Sequence, residues 1–138
     1  MGIKIFDYNI FDEELNNIVV DTKIINTINP HSYCAAKKDA EFKESLRESN
    51  ILLPDGIGIV WAVKLLLNKQ INKIAGSDIH RYLLEKANTK KLKVFYLGAS
   101  QITLNIIKNK LHNEYPYIRW NHTLHHLSRH FQYRILKR

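Results

Sequence analysis

The sequence predicts an α/β fold with a mainly parallel sheet. Two observations carry this. Short β-branched or apolar runs alternate along the chain with longer stretches of helical periodicity. Three of those runs end in polar or glycine-rich loops that lead into a helix, as strands of a parallel sheet do. The length of 138 residues suits one domain, and 45% hydrophobic residues are enough to build a core.

Taken in order, "IKIFDYNI" (3–10) alternates as a strand, and "DEELNNIVV" (12–20) reads as a short helix with an acidic first turn. "KIINTI" (23–28) is β-branched and bounded by Pro30, which predicts a strand ending near Thr27. Residues 32 to 50 are helical in pattern, with Tyr33, Ala36, Ala40 and Leu46 on the buried side. "ILL" (51–53) is a short buried strand. Residues 57 to 68 form a helix that is apolar nearly all round, which predicts burial on several sides. "INKIAG" (71–76) is a strand or a loop, after which Ser77 or Asp78 caps a helix reaching Ala87. "LKVFYLGA" (92–99) is the clearest strand. Residues 100 to 113 form an amphipathic helix with Ile102, Ile106, Ile107 and Leu111 on one face. There is no internal repeat and no Pro/Gly-rich linker.

The net charge of +8 points to an anionic partner: nucleic acid, phosphates or a membrane surface. Glu114 is the last acid, and Arg119, Arg129, Arg134, Lys137 and Arg138 follow it. Nucleic acid is not expected, because no recognition motif or aromatic platform stands behind this basic tail. Cys34 is the only cysteine, so no internal disulfide forms, in keeping with a cytoplasmic location. The N-terminus lacks the apolar core of a signal peptide. The most apolar stretch, 57 to 67, is interrupted by Lys64 and falls short of the ~20 residues that span a bilayer. The expected protein is soluble, or attached to a membrane surface at most.

In open α/β sheets, ligands bind at the carboxyl ends of the strands. "NTINPHS" (26–32), "PDGIG" (54–58) and "LGAS" (97–100) stand at such ends, each before a helix whose free N–H groups suit a phosphate. None is a dinucleotide fingerprint or a P-loop. Together they suggest one phosphorylated ligand held across several loops. By local spacing, Asp55 is a helix N-cap more readily than a site residue. Thr27 and Asn29 read as turn residues or as ligand hydrogen bonds. His31 and His80 read as surface or helix-start residues, and Cys34 as a small core residue. His122, His126 and His130 share a face if the tail is helical, but no Cys or acid accompanies them, so no metal is expected. Leu124, Leu127, Phe131 and Ile135 would give that helix an apolar stripe, as on a basic amphipathic membrane helix.

The ordered set "T-x-N", then "LLPDGIG", then "G-S-D", followed by "LKVFYLGAS", resembles the WecG/TagA/CpsF glycosyltransferases over roughly residues 3 to 117. The resemblance implies a Rossmann-like three-layer α/β fold. It implies transfer of an N-acetylmannosamine-type sugar from a UDP-sugar donor to a polyprenyl-diphosphate-linked acceptor sugar, in bacterial surface polysaccharide or teichoic acid synthesis. It also implies inversion at the transferred carbon, no metal or other cofactor, and a homo-oligomer at the inner face of the membrane. Asp55 takes the general-base position. Thr27 and Asn29 line the same pocket. Gly56, Gly58 and Gly98 belong to the phosphate-facing loops, and Lys73 stands where the family usually has Arg.

After "NEYPYI" (113–118) the resemblance fades. Residues 118–138 read as a divergent, basic, His-rich tail of helical character, after a domain at 1–117. This suggests a truncated or frameshifted member lacking the C-terminal part of the family fold, or a natural short member with a basic membrane helix. The alternative function is a non-catalytic module that binds a UDP-sugar or a membrane surface.

Overall fold

The computed structural model describes residues 2–19, 23–123 and 133–134. The fold is α/β with parallel strand pairs, as the sequence predicts. The chain divides into two compact units, Met1–Val19 with Lys23–Ile79, and His80–Arg138 with Val20–Thr22.

The first unit opens with a hairpin, β1 (Ile3–Ile5) and β2 (Tyr8–Ile10), where the sequence predicts one strand. Ile3 faces Ile10 and Ile5 faces Tyr8 in antiparallel register, all four buried. Phe6 and Asp7 are both exposed and make the turn, with Phe6 at φ 54°. Two successive exposed residues break the alternation of a single strand, and Asp is a favoured turn residue. Lys43 bonds the Asp7 carboxylate at 2.6 Å and holds its pKa below the usual value. The helix expected over 12–20 is only a 3-10 turn at Leu15–Asn17.

Strand β3 (Ile24–Ile28) runs parallel to β4 (Ile51–Pro54), with Thr27 beside Leu53 and Ile28 beside Pro54. The Phe11 N–H donates to the Leu52 carbonyl at 2.9 Å and holds the hairpin strand against β4. The single helix expected between β3 and β4 is two: α1 (Pro30–Ala36) and α2 (Ala40–Arg47). Asp39 causes the break. Its carboxylate accepts from the Phe42 N–H at 2.9 Å, so it caps a new helix instead of continuing the old one. Helix α3 (Ile57–Leu67) follows β4 and ends at Asn68 in the left-handed conformation. The core joins Ile3, Ile5, Ile10, Ile28, Leu52, Val63 and Ile71, with Tyr33 and Phe42 packed against them. Against expectation, α3 buries only Ile59 and Val63.

Residues 71–75 form a loop, and α4 (Gly76–Thr89) runs from it into the second unit. There β5 (Lys93–Leu97), α5 (Gln101–Glu114) and β6 (Arg119–Thr123) make a β-α-β unit with parallel register from Lys93–Arg119 to Leu97–Thr123. Leu84, Tyr96, Leu104 and Leu111 form its core, with Ile107 and Trp120 packed against it. The inner face of α5 is therefore Leu104, Ile107 and Leu111, while Ile102 and Ile106 are exposed.

The tail was expected to be helical, yet residues 119–123 are a strand. Ile118 and Trp120 turn to the core while Arg119 and Asn121 are exposed, which is the period of a strand and not of a helix. Tyr133–Arg134 form a further short strand, β7. His126, His130 and the expected stripe of Leu124, Leu127, Phe131 and Ile135 lie outside the described residues.

His80 is a half-buried residue of α4, with its Nε2 2.8 Å from the Tyr96 hydroxyl. Burial and the Lys110 charge push its imidazole pKa below the ordinary 6.5. Between the folded value and 6.5 the unfolded chain binds the extra proton, so stability falls as pH drops through that window. Unfolding free energy should decrease on going from neutral pH to mildly acid pH, with a smaller slope in His80→Phe; urea titrations across the range check this. Leu53 is fully buried on β4, and Leu53→Ala should cost about 2–5 kcal/mol in the same measurement.

Candidate functional site

Because β3 and β4 are parallel neighbours, their carboxyl ends share one edge of the first unit. The chain leaves β3 through Asn29 into α1, and leaves β4 through Asp55 and Gly56 into α3. This edge carries most of the residues that the sequence singles out.

Two contacts hold these loops together, and a third ties on the loop that carries Lys73. The Asp55 N–H donates to the Ile28 carbonyl at 2.9 Å. A Cβ on Gly58 would lie 2.6 Å from Pro30 Cγ, so only glycine lets α3 approach α1 this closely. The Ile74 N–H donates to the Pro54 carbonyl at 2.9 Å and ties the loop carrying Lys73 to the residue before Asp55.

Asp55 is not the helix cap that local spacing favours. The N-cap of α3 is Gly56, at φ 96° and ψ 147°, and no side chain caps the helix. The reason is the backbone bond to Ile28. It extends the β3–β4 pairing to Asp55 and moves the helix start one residue on, so the Asp55 side chain is not at the position that caps. Its carboxylate is half-buried and makes no hydrogen bond or ion pair among the described residues. The opening N–H groups of α3 likewise keep no side-chain partner at the cap.

Asn29, by contrast, is a cap. Its Oδ1 accepts from the Ser32 N–H at 2.8 Å, and the Ser32 Oγ accepts from the Asn29 N–H at 2.8 Å, a reciprocal capping box with Pro30 in the first turn. Its Nδ2 has no partner among the described residues. The Asn26 amide reaches Ser49 Oγ at 2.8 Å, on the α2 side of β3, so alternation turns Thr27 to the opposite side. The Thr27 hydroxyl is half-buried and unbonded among the described residues. The Lys73 ammonium is exposed and unpaired among them.

Gly98 lies in the second unit, after β5, at φ 98° and followed by Ala99 at φ 69°. A Cβ there would meet nothing within 4 Å, so the demand for glycine is conformational. Ser100 then caps α5, its Oγ accepting from the Thr103 N–H at 3.2 Å. The structure brings together Thr27, Asn29, Asp55, Gly56, Gly58 and the Lys73 loop.

His31 is exposed, and Cys34 is exposed and not a core residue. No group of three His, Cys, Asp or Glu side chains suited to a metal occurs among the described residues. A shallow crevice lined by Phe11, Glu13, Lys23 and Asn50 lies at the amino ends of β3 and β4, away from Asp55. Sequence reasoning missed Ser32 and Pro30 as the residues that fix Asn29 and receive Gly58. The signal was present in "N-P-x-S", a cap residue, a first-turn proline and a hydroxyl at the reciprocal position.

The family model described as the WecG/TagA/CpsF family of glycosyl transferases matches residues 2–134. The match thus continues beyond residue 117, where the resemblance was expected to fade. The chain is 38% identical over 112 residues to the N-acetylglucosaminyldiphosphoundecaprenol N-acetyl-beta-D-mannosaminyltransferase of Bacillus subtilis (strain 168), covering 79% of this chain and 44% of that protein. It is 33% identical over 92 residues to the protein of the same name from Bacillus spizizenii, covering 67% of this chain and 36% of the relative. For the one from Staphylococcus aureus (strain NCTC 8325 / PS 47) the figures are 28% over 102 residues, 74% and 39%. The chain spans less than half the length of these relatives.

The cap assignments are testable by contrast. Asp39→Ala removes a cap and should cost ~1 kcal/mol. Asp55→Ala removes a carboxylate with no partner among the described residues and should change stability by less than ~0.5 kcal/mol. Gly56→Ala forces a side chain into a glycine conformation and should cost about 1–3 kcal/mol. Denaturant unfolding of the three variants gives the order.

Proposed function

This chain belongs to the WecG/TagA/CpsF family of glycosyl transferases, and from that premise we propose that it transfers an N-acetylmannosamine-type sugar from a UDP-sugar to a polyprenyl-diphosphate-linked acceptor sugar. The names of the relatives describe N-acetylmannosaminyl transfer to N-acetylglucosaminyl-diphosphoundecaprenol in those proteins. The observation that carries the reading is the Asp55 carboxylate. It sits where two parallel strands end, it is held from both sides through its backbone, and its oxygens have no partner among the described residues.

An acceptor hydroxyl is a weak nucleophile until a base removes its proton. In the proposed step Asp55 takes that proton as the oxygen attacks the anomeric carbon. The bond from that carbon to the diphosphate breaks on the opposite face, UDP leaves with the electron pair, and the configuration inverts. The leaving diphosphate gathers negative charge and needs donors or cations. The uncapped N–H groups at the start of α3 and the Lys73 ammonium are suited to it, the first through backbone dipoles and the second through charge. Lysine offers a point charge and not the planar fork of arginine, so Lys73 would grip a diphosphate less specifically than the family's usual residue. Thr27 and the Asn29 Nδ2 offer further hydrogen bonds at the same edge.

A transfer assay with UDP-N-acetylmannosamine and lipid-linked N-acetylglucosamine is the direct test. Asp55→Ala should lower kcat by ~10²–10⁴-fold, the range expected for losing a general base, while the protein stays folded. A variant that keeps full activity sinks the base assignment. Measurable UDP binding with no transfer by the unaltered chain would favour the non-catalytic binding module.

A further inference from the structure

We propose that the outer face of α3 docks on an anionic lipid bilayer, lying in the headgroup region beside the Asp55 loop. The inference rests on α3 and its flanking loop and not on the proposed reaction.

Helix α3 has two opposite faces. Ile59 and Val63 point into the core. Ile57, Trp61 and Leu65, spaced four apart, run along the other side at 54%, 60% and 83% exposure, and Leu66 is exposed at 60%. A helix facing water normally carries polar residues there, and a contiguous apolar face marks an interaction surface. The only charge on the helix is Lys64, which is exposed beside Trp61 and Leu65. Lys69 and Lys73 follow in the next loop, both exposed, and no acid occurs between Asp55 and Asp78.

This combination fits an anionic lipid surface. Tryptophan and leucine suit the boundary between headgroups and acyl chains, and lysines reach out to lipid phosphates. The helix has 11 residues and so a length of about 16 Å, too short to cross the ~30 Å hydrocarbon core. No described helix is long and apolar enough to cross a membrane. The helix must therefore lie along the surface. A second copy of the chain fits less well, because a symmetric contact on this face would bring two sets of lysines together with no acid between them. The helix begins directly after Asp55 and Gly56, so seating it on the bilayer brings the Asp55 loop to the level of lipid diphosphates.

Co-sedimentation of the full chain with vesicles tests this without any sugar substrate, so its result is separate from that of the transfer assay. Binding should be strong to phosphatidylcholine vesicles containing phosphatidylglycerol and weak to phosphatidylcholine alone. The double variant Trp61→Ser/Leu65→Ser should lose at least about tenfold in partitioning. Lys64→Glu/Lys69→Glu should lose on the order of a hundredfold. Ile102→Ser/Ile106→Ser, on the exposed face of α5, should bind as the unaltered chain does. All these side chains are exposed, and unchanged circular-dichroism melts would show that the variants fold. Equal vesicle binding by the α3 variants and the unaltered chain overturns the proposal. So does equal binding to both kinds of vesicle. A Trp61→Ser/Leu65→Ser variant that keeps vesicle binding but turns an oligomer into monomers in sedimentation velocity also overturns it, in favour of a second copy.

Discussion

The hydrogen bond from the Asp55 N–H to the Ile28 carbonyl governs the geometry of the first unit's candidate site. Pro54, the last residue of β4, has no N–H to give to the ladder. That loss does not touch the β3 side, where the Asp55 N–H makes the last rung of the ladder, to Ile28, beside Pro54. The Pro54 carbonyl accepts from Ile74 on another loop. The backbone on both sides of Asp55 is thus anchored by bonds that do not involve its side chain. Gly56 must then turn the chain at a positive φ, and Gly58 must pass Pro30 without a side chain. Both glycines of "DGIG" lie directly after that last rung.

The same rung separates two roles that a carboxylate at a helix start would otherwise combine. A capping carboxylate accepts helix N–H bonds. Those bonds stabilise its charged form and make it a weaker base. Here the cap position falls to Gly56, which has no side chain to give, and the neighbouring helix is capped by Asn29 and Ser32 instead. The helix start forgoes a stabilising cap of ~1 kcal/mol. In return the carboxylate stays uncommitted, and the first amides of α3 keep no side-chain ligand. Both suit the acceptor hydroxyl and the diphosphate of the proposed reaction. Nothing in the stability of the first unit calls for an acid at this position, since the side chain has no partner among the described residues.

Much of this was legible in the sequence where local chemistry decides. Alternation and β-branching marked β3, β4 and β5, and "T-x-N" and "PDGIG" marked the carboxyl ends of β3 and β4. What failed to show depends on partners far along the chain or on a single turn. The pattern of 3–10 reads as one strand unless Phe6 and Asp7 are seen as two adjacent outward positions. The break between α1 and α2 hangs on Asp39 capping locally when it sits equally well on a helix surface. On α5 the apolar residues supply more than one stripe, and only packing against Leu84 and Tyr96 selects Leu104 over Ile102 and Ile106. In β6, histidine spacing suggested a helix, but Val94 and Trp120 pair side by side in the parallel register. The cap reading of Asp55 went wrong through a long-range backbone bond, which no local spacing reveals.

Helix α3 shows where composition alone misleads most. Its apolar content predicts a helix buried on several sides, yet Ile59, Val60, Ala62 and Val63 face the core while Ile57, Trp61 and Leu65 are exposed. Burial needs neighbours on several sides, and composition says nothing about how many there are. An apolar face left toward solvent gives up the hydrophobic free energy that burial would supply, at ~25 cal/mol for each Å². Such a face is selected against in a helix that only fills a core, because polar residues there would improve solubility at no loss of packing. Its presence beside lysines and without a single acid is what the proposed bilayer contact accounts for. The position of the face gives that contact its direction. It starts at the residue after Gly56, so whatever α3 touches is brought next to the uncommitted carboxylate of Asp55.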